Sequence, residues 1–178
     1  MSRIPNHTIA DAPAGSRQTL TELARSSPNG RFLNLHAQMA HSPAVLAGYM
    51  ALRAAAQAQS GFDPRTAAAL TLATAGAVGN GYMIAIATRL GQMAGLSEED
   101  VAALRTGMPT KDAKLDTLTR VAREAAVDSG KVADTTWAAA EEAGWTSEQL
   151  AQVFSYLALT VFTGYFLNYA KTEIDGLW

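Results

Sequence analysis

Cysteine is absent from this 178-residue chain. That removes disulfides, thiolate metal sites and every cysteine nucleophile from consideration. Aromatic residues are scarce, at 7%, although hydrophobic residues reach 48%. The apolar content is mostly alanine, leucine and valine, a mixture that favours helix over sheet. A surplus of one charge is missing too: the formal net charge is −2 and Lys and Arg form no dense stripe. With nothing to neutralise a phosphate backbone, nucleic acid is not an expected partner. His, Asp and Glu nowhere take metal-ligand spacing, and Gly76, Gly79 and Gly81 lack a following Lys-Ser or Lys-Thr. Neither a metal, a phosphate loop nor another cofactor is expected. The first residues hold no apolar run of signal-peptide length, which points to a cytoplasmic location.

Two stretches, residues 66–88 and 149–170, carry no Lys, Arg, Asp or Glu, and each is long enough to span a bilayer as one straight helix. The first is interrupted by Gly76, Gly79, Asn80 and Gly81. The second contains Gln152, Ser155, Thr160, Thr163 and Asn168, and neither has an aromatic belt or a basic flank. Both are expected to be buried core helices, with no membrane span.

Residues 1–15 read as an N-terminal arm that wraps the domain or stays loose, and residues 16–178 as one helical domain. Apolar spacing becomes helical from Ser16, and breakers follow at Ser26-Ser27-Pro28-Asn29-Gly30. The next helix is expected over 32–40. Ser42 and Pro43 supply a cap and a first-turn proline for a helix over 44–59, which Ser60-Gly61-Phe62 ends. Asp63 and Pro64 do the same for a helix over 65–78. Gly79-Asn80-Gly81 has the composition of a tight turn. A helix then resumes over 82–94 and stops at Gly95, and Ser97 caps the acidic first turn Glu98-Glu99-Asp100. The pattern Ala94-Gly95-Leu96-Ser97-Glu98-Glu99 is echoed at Ala143-Gly144-Trp145-Thr146-Ser147-Glu148, where Thr146 and Gln149 make a capping box. Helices over 113–129, 134–142 and 147–169 complete an all-α bundle of roughly eight helices.

Among the polar residues, His41 is read as preceding a cap and His36, on a helix with Leu33 and Leu35, as a core or surface residue. Tyr82 and Tyr165 are read as packing with a bonded hydroxyl, and Arg65 and Arg89 as the solvated ends of the uncharged segment.

With Ser42-Pro43 before a long helix, Ala94-Gly95-Leu96-Ser97 after the central one and Thr172-x-x-Asp175 at the end, residues 42–175 resemble the carboxymuconolactone decarboxylase superfamily. The nearer branch is that of alkylhydroperoxidase D. The resemblance implies an alkylhydroperoxidase-D-like helical bundle and a homo-oligomer, a trimer or hexamer. It also implies an active helix carrying Cys-x-Tyr-Cys-x-x-x-His. Aligned on Gly95, that motif falls on Asn80, Tyr82, Met83 and Ala87, and only the tyrosine is kept. The family's glutamate falls on Ala68, and the C-terminal histidine of many relatives falls on Asn168, shortly after Tyr165.

Asn80, Met83, Ala68 and Ala87 cannot serve as nucleophile, resolving thiol or proton relay, so a thiol-type hydroperoxidase is contradicted chemically. The active site is degenerate. The sequence is compatible with a non-thiol small-molecule site, a lyase or isomerase acting on a small hydrophobic acid or lactone, lined by Asn80, Tyr82, Met83, Ala87, Tyr165 and Asn168. The alternative is a non-catalytic binding or oligomer-assembly subunit. Catalytic residues are not assigned.

Overall fold

The computed structural model describes residues 2–27, 29–58 and 61–176. Pro28, Gln59 and Ser60, which belong to expected breakers and to the end of an expected helix, lie outside the described residues. Nine helices and no strand are present among the described residues, one helix more than the roughly eight expected. They are α1 (Ala14–Ser26), α2 (Asn34–Met39), α3 (Pro43–Ala58), α4 (Pro64–Val78), α5 (Gly81–Met93), α6 (Glu98–Thr106), α7 (Ala113–Val127), α8 (Asp134–Glu142) and α9 (Ser147–Ala170).

Local chemistry sets most of these ends. Asp63 caps α4 by accepting from Thr66 N–H, and Pro64 fills the first turn, where no amide proton is needed. Ser97 and Asp112 cap α6 and α7 in the same way, and Thr146 and Gln149 form the expected reciprocal box at the start of α9. The uncharged stretch 66–88 is two helices. Gly79 ends α4 in the left-handed conformation, with φ of 70°, and Asn80 starts α5.

α4 is the hub, packed against α5, α6, α7 and α9, while α9 also lies against α3, α5 and α7. Small side chains permit these close approaches. At Gly76 an added Cβ would collide with the carbonyl oxygen of Arg105 in α6. Arg123 of α7 ties the same region together, donating from Nη1 to the carbonyls of Ala73 (3.1 Å) and Leu104 (3.0 Å). Arg65 is not merely a solvated end: it pairs with Asp112 at 2.9 Å and with Asp100 at 3.8 Å, joining the start of α4 to α6 and α7.

α9 is long and apolar enough to cross a membrane, yet its buried residues, Leu150, Val153, Leu157, Thr160 and Leu167 among them, face the bundle. Its outer side keeps Phe154, Tyr165 and Tyr169 exposed. The N-terminal segment runs along the end of α9 and over α2. Arg3 N–H donates to Ala170 O, Gln38 donates to Ile4 O, and His7 Nε2 meets His41 Nδ1 at 2.9 Å.

Candidate functional site

The positions singled out in the sequence cluster around the α4–α5 break, where Asn80 is 3% exposed. Its side chain makes three hydrogen bonds. Oδ1 accepts from Met83 N–H at 2.8 Å, the capping interaction that starts α5. Nδ2 donates to Gly164 O at 3.2 Å and to Asn168 Oδ1 at 2.7 Å, both on α9. The amide is therefore fully engaged, as a buried amide must be to avoid a penalty of about 1–3 kcal/mol for an unmet donor or acceptor. At the positions where the resemblance places a thiol and the C-terminal histidine, the chain has a neutral amide pair.

The remaining candidates do not converge on that pair. Tyr82 points toward α2 and the C-terminal segment: its hydroxyl accepts from Leu35 N–H at 3.2 Å and donates to the carboxylate of Asp175 in a short hydrogen bond. Asp175 also accepts from Asn34 N–H at 2.9 Å, so the tyrosine and the end of the chain fix the start of α2. Burial, and then the hydrogen bond to Asp175, raise the Tyr82 hydroxyl well above its ordinary range. It stays protonated at any physiological pH and is no proton acceptor. Met83 packs beside Tyr82 in an apolar cluster with Leu23, Leu35 and Tyr49.

Ala87 is completely buried in a different cluster. There it shares Leu72, Ala73, Leu96 and Val101 with Ala68. The positions where the resemblance places a glutamate and a histidine thus lie in one dry cluster of methyl groups, which has no proton to relay. Tyr165 stands on the outer face of α9 at 61% exposure, turned away from Asn80. One turn of α9 separates it from Asn168, but the buried side of that helix is set by Gly164 and Leu167.

Residues of another kind come together elsewhere, and the sequence reading missed them. A cleft of about 430 Å3 is bounded by α1, the segment after it, α2, α3 and α5. Its lining includes the apolar Leu23, Phe32 and Leu33 and the polar His36, Arg31, Arg53 and Arg89. His36 is 5% exposed. Its Nδ1 accepts from Leu33 N–H at 3.3 Å, which leaves the proton on Nε2, and Nε2 is buried without a hydrogen-bond partner. Burial, reinforced by the charge of Arg53, pushes the His36 pKa down to about 4, so the ring is neutral at physiological pH. The only sequence signal was a histidine on an apolar helix. Its arginine neighbours come from other elements.

Residues 43–124 match the model of the carboxymuconolactone decarboxylase family. No curated protein matches the sequence. Among solved structures, the chain is similar to an alkylhydroperoxidase AhpD core, an uncharacterized peroxidase-related protein from Ralstonia eutropha JMP134. The TM-score is 0.86 at 17% identity, covering 98% of this chain and 93% of that one. It is also similar to the debrominase Bmp8 in complex with 2,3,4-tribromopyrrole, with a TM-score of 0.81 at 11% identity over 99% of this chain and 93% of that one. A peroxidase-related protein from Silicibacter sp. TM1040 gives 0.78 at 12% identity, covering 99% and 96%. At these identities the likeness establishes the fold, which is alkylhydroperoxidase-D-like and all-α.

A substitution at Ala87 reads the packing of the helix face directly. The indole of Ala87→Trp has no void to enter, and overpacking is expected to lower stability by about 1–3 kcal/mol or more, a drop of roughly 2–4 °C in melting temperature per kcal/mol for a chain of this size. Thermal unfolding beside the parent checks it. Parental stability would mean that a cavity lies behind Ala87.

Proposed function

We propose, for a chain whose residues 43–124 are of the carboxymuconolactone decarboxylase family and whose fold is alkylhydroperoxidase-D-like, a thiol-free binding role in which the position of the relatives' active helix has become a structural joint. The observation that carries this reading is the Asn80 amide, all of whose hydrogen bonds go to Met83, Gly164 and Asn168. A lyase or isomerase site at this place would need Asn80, Tyr82 and Asn168 to turn donors toward a substrate. Asn80 and Asn168 are bonded to each other, and Tyr82 is held by Leu35 and Asp175. Peroxide reduction would need a thiolate, and methionine is not a turnover nucleophile. Debromination is an activity of a relative with 11% identity and is not transferred.

The binding role is tested by turnover. With cumene hydroperoxide and a thiol regenerating system, the purified protein is expected to give no reduction above buffer. Incubated with compact acids and lactones, it should shift in melting temperature while the compounds are recovered unchanged. Sustained peroxide consumption, or conversion of any bound compound, would refute the reading.

Self-association is part of the proposal. Phe154, Tyr165 and Tyr169 on α9 and Leu90 and Met93 on α5 are exposed apolar side chains of the kind that a second copy covers. Light scattering at micromolar concentration is expected to report a trimer or hexamer. A monomer would count against it.

A further inference from the structure

We infer that the cleft between α1, α2, α3 and α5 is a binding site for a compact organic anion, an apolar body carrying one carboxylate, with His36 Nε2 and the guanidinium of Arg53 as its principal donors. This deepens the proposed binding role and rests on it.

Three independent features of the cleft point to such a ligand. The first is an unmet donor. His36 lines the cleft, its Nδ1 is engaged by Leu33 N–H, and its buried Nε2–H has nothing to bond. A buried donor left without a partner costs about 1–3 kcal/mol. Such groups call for a ligand or an ordered water.

The second feature is charge. Arg31, Arg53 and Arg89 all line the cleft, and no Asp or Glu is among its lining residues. Guanidinium groups are planar cations that bind carboxylates through paired N–H donors. Arg53 is half-buried one helical turn beyond Tyr49, close enough to act on both the His36 ring and the Tyr49 hydroxyl. Its charge is felt at the His36 ring. Arg31 and Arg89 are exposed and stand toward solvent, where they draw an anion in more than they hold it.

The third feature is the apolar lining. Leu23 is buried, while Phe32 and Leu33 are half-buried. A volume of about 430 Å3 lies within the span of small-molecule sites, roughly 300–1,000 Å3. It leaves room for a ring or short chain beyond the carboxylate. Apolar lining together with cationic donors selects an amphiphilic acid over a bare inorganic ion. The cleft is separate from the Asn80–Asn168 pair, which belongs to the junction of α5 with α9.

The test uses the full chain with phenylacetate, its neutral analogue phenylacetamide and inorganic phosphate as probes, read by titration calorimetry and thermal shift. Phenylacetate should bind, with phenylacetamide and phosphate each weaker by about tenfold or more. Arg53→Met keeps the aliphatic stem but removes the donors, and should weaken phenylacetate by about tenfold or more. His36→Phe should also weaken it while melting close to the parent, because an apolar ring of similar shape removes the unmet donor. If His36→Phe does not fold, Arg31→Met supplies the second variant, with a smaller loss. Arg120→Met, in a different cavity beside α7, should leave binding unchanged.

Equal binding of the acid and the amide would overturn the anion site. So would parental affinity in Arg53→Met, or no binding of phenylacetate at millimolar concentration. Binding of phosphate as tight as that of phenylacetate would overturn the apolar body. The two proposals fail separately. Phenylacetate that binds in the cleft and is chemically altered refutes the non-catalytic role and leaves the site standing, whereas other compounds that bind where phenylacetate does not refute the site alone.

Discussion

The arrangement depends most on the hydrogen bonds of one buried amide. An uncharged stretch running from Thr66 to Thr88 would otherwise be a single straight helix. Gly79 breaks it, and Asn80 meets the needs of the broken end by capping Met83 N–H and binding the backbone and side chain of α9. The turn, the direction of α5 and the seating of α9 are fixed by the same three contacts. With α4 at the centre and packed on α5, α6, α7 and α9, a shift at this break would be transmitted to every layer.

The residues at the positions that the resemblance singles out serve packing. A thiol–histidine pair at positions 80 and 168 would bring ionisable groups to the α5–α9 junction; an amide pair brings complementary neutral dipoles, which need no counter-charge. A glutamate and a histidine at 68 and 87 would need partners inside the bundle. Two alanines need none, and they let α4, α5 and α6 close over Leu72, Leu96 and Val101. A scaffold can be kept while the residues that act on substrate change, and the proposed binding role is a case of that separation. Of the buried side-chain atoms left without a partner, His36 Nε2 belongs to a residue that lines an arginine-bearing cleft.

The helices were legible because their ends are written in local residues. Asp63-Pro64, Ser97 before three acids, and Thr146 paired with Gln149 act within one turn, and each caps the helix assigned to it. The count fell short by one, and α5 starts at Gly81, one residue before the expected Tyr82. The composition of the site was less legible. Met83 and Ala87 share a helix face by spacing but enter different clusters, because α5 is flanked by α4 and α6 on one side and by α1 and α2 on the other. The resemblance sets Tyr165 beside Asn168. α9 is apolar nearly all round, so its periodicity does not say which side faces inward, and tertiary contacts turn Tyr165 out. The Tyr82–Asp175 bond joins residues 93 positions apart, and the cleft gathers Arg31, His36, Arg53 and Arg89 from separate elements. No local pattern encodes either.

The account stands or falls on whether Asn80 and Asn168 act as one structural unit. The most direct measurement is a double-mutant cycle of Asn80→Ala and Asn168→Ala by denaturant unfolding. The predicted result is a coupling of about 0.5–1.5 kcal/mol, with Asn80→Ala the costlier single change because it also removes the α5 cap, worth about 1 kcal/mol. Additive effects, within roughly 0.3 kcal/mol, would contradict the claim that this amide pair is the joint on which α5 and α9 are held.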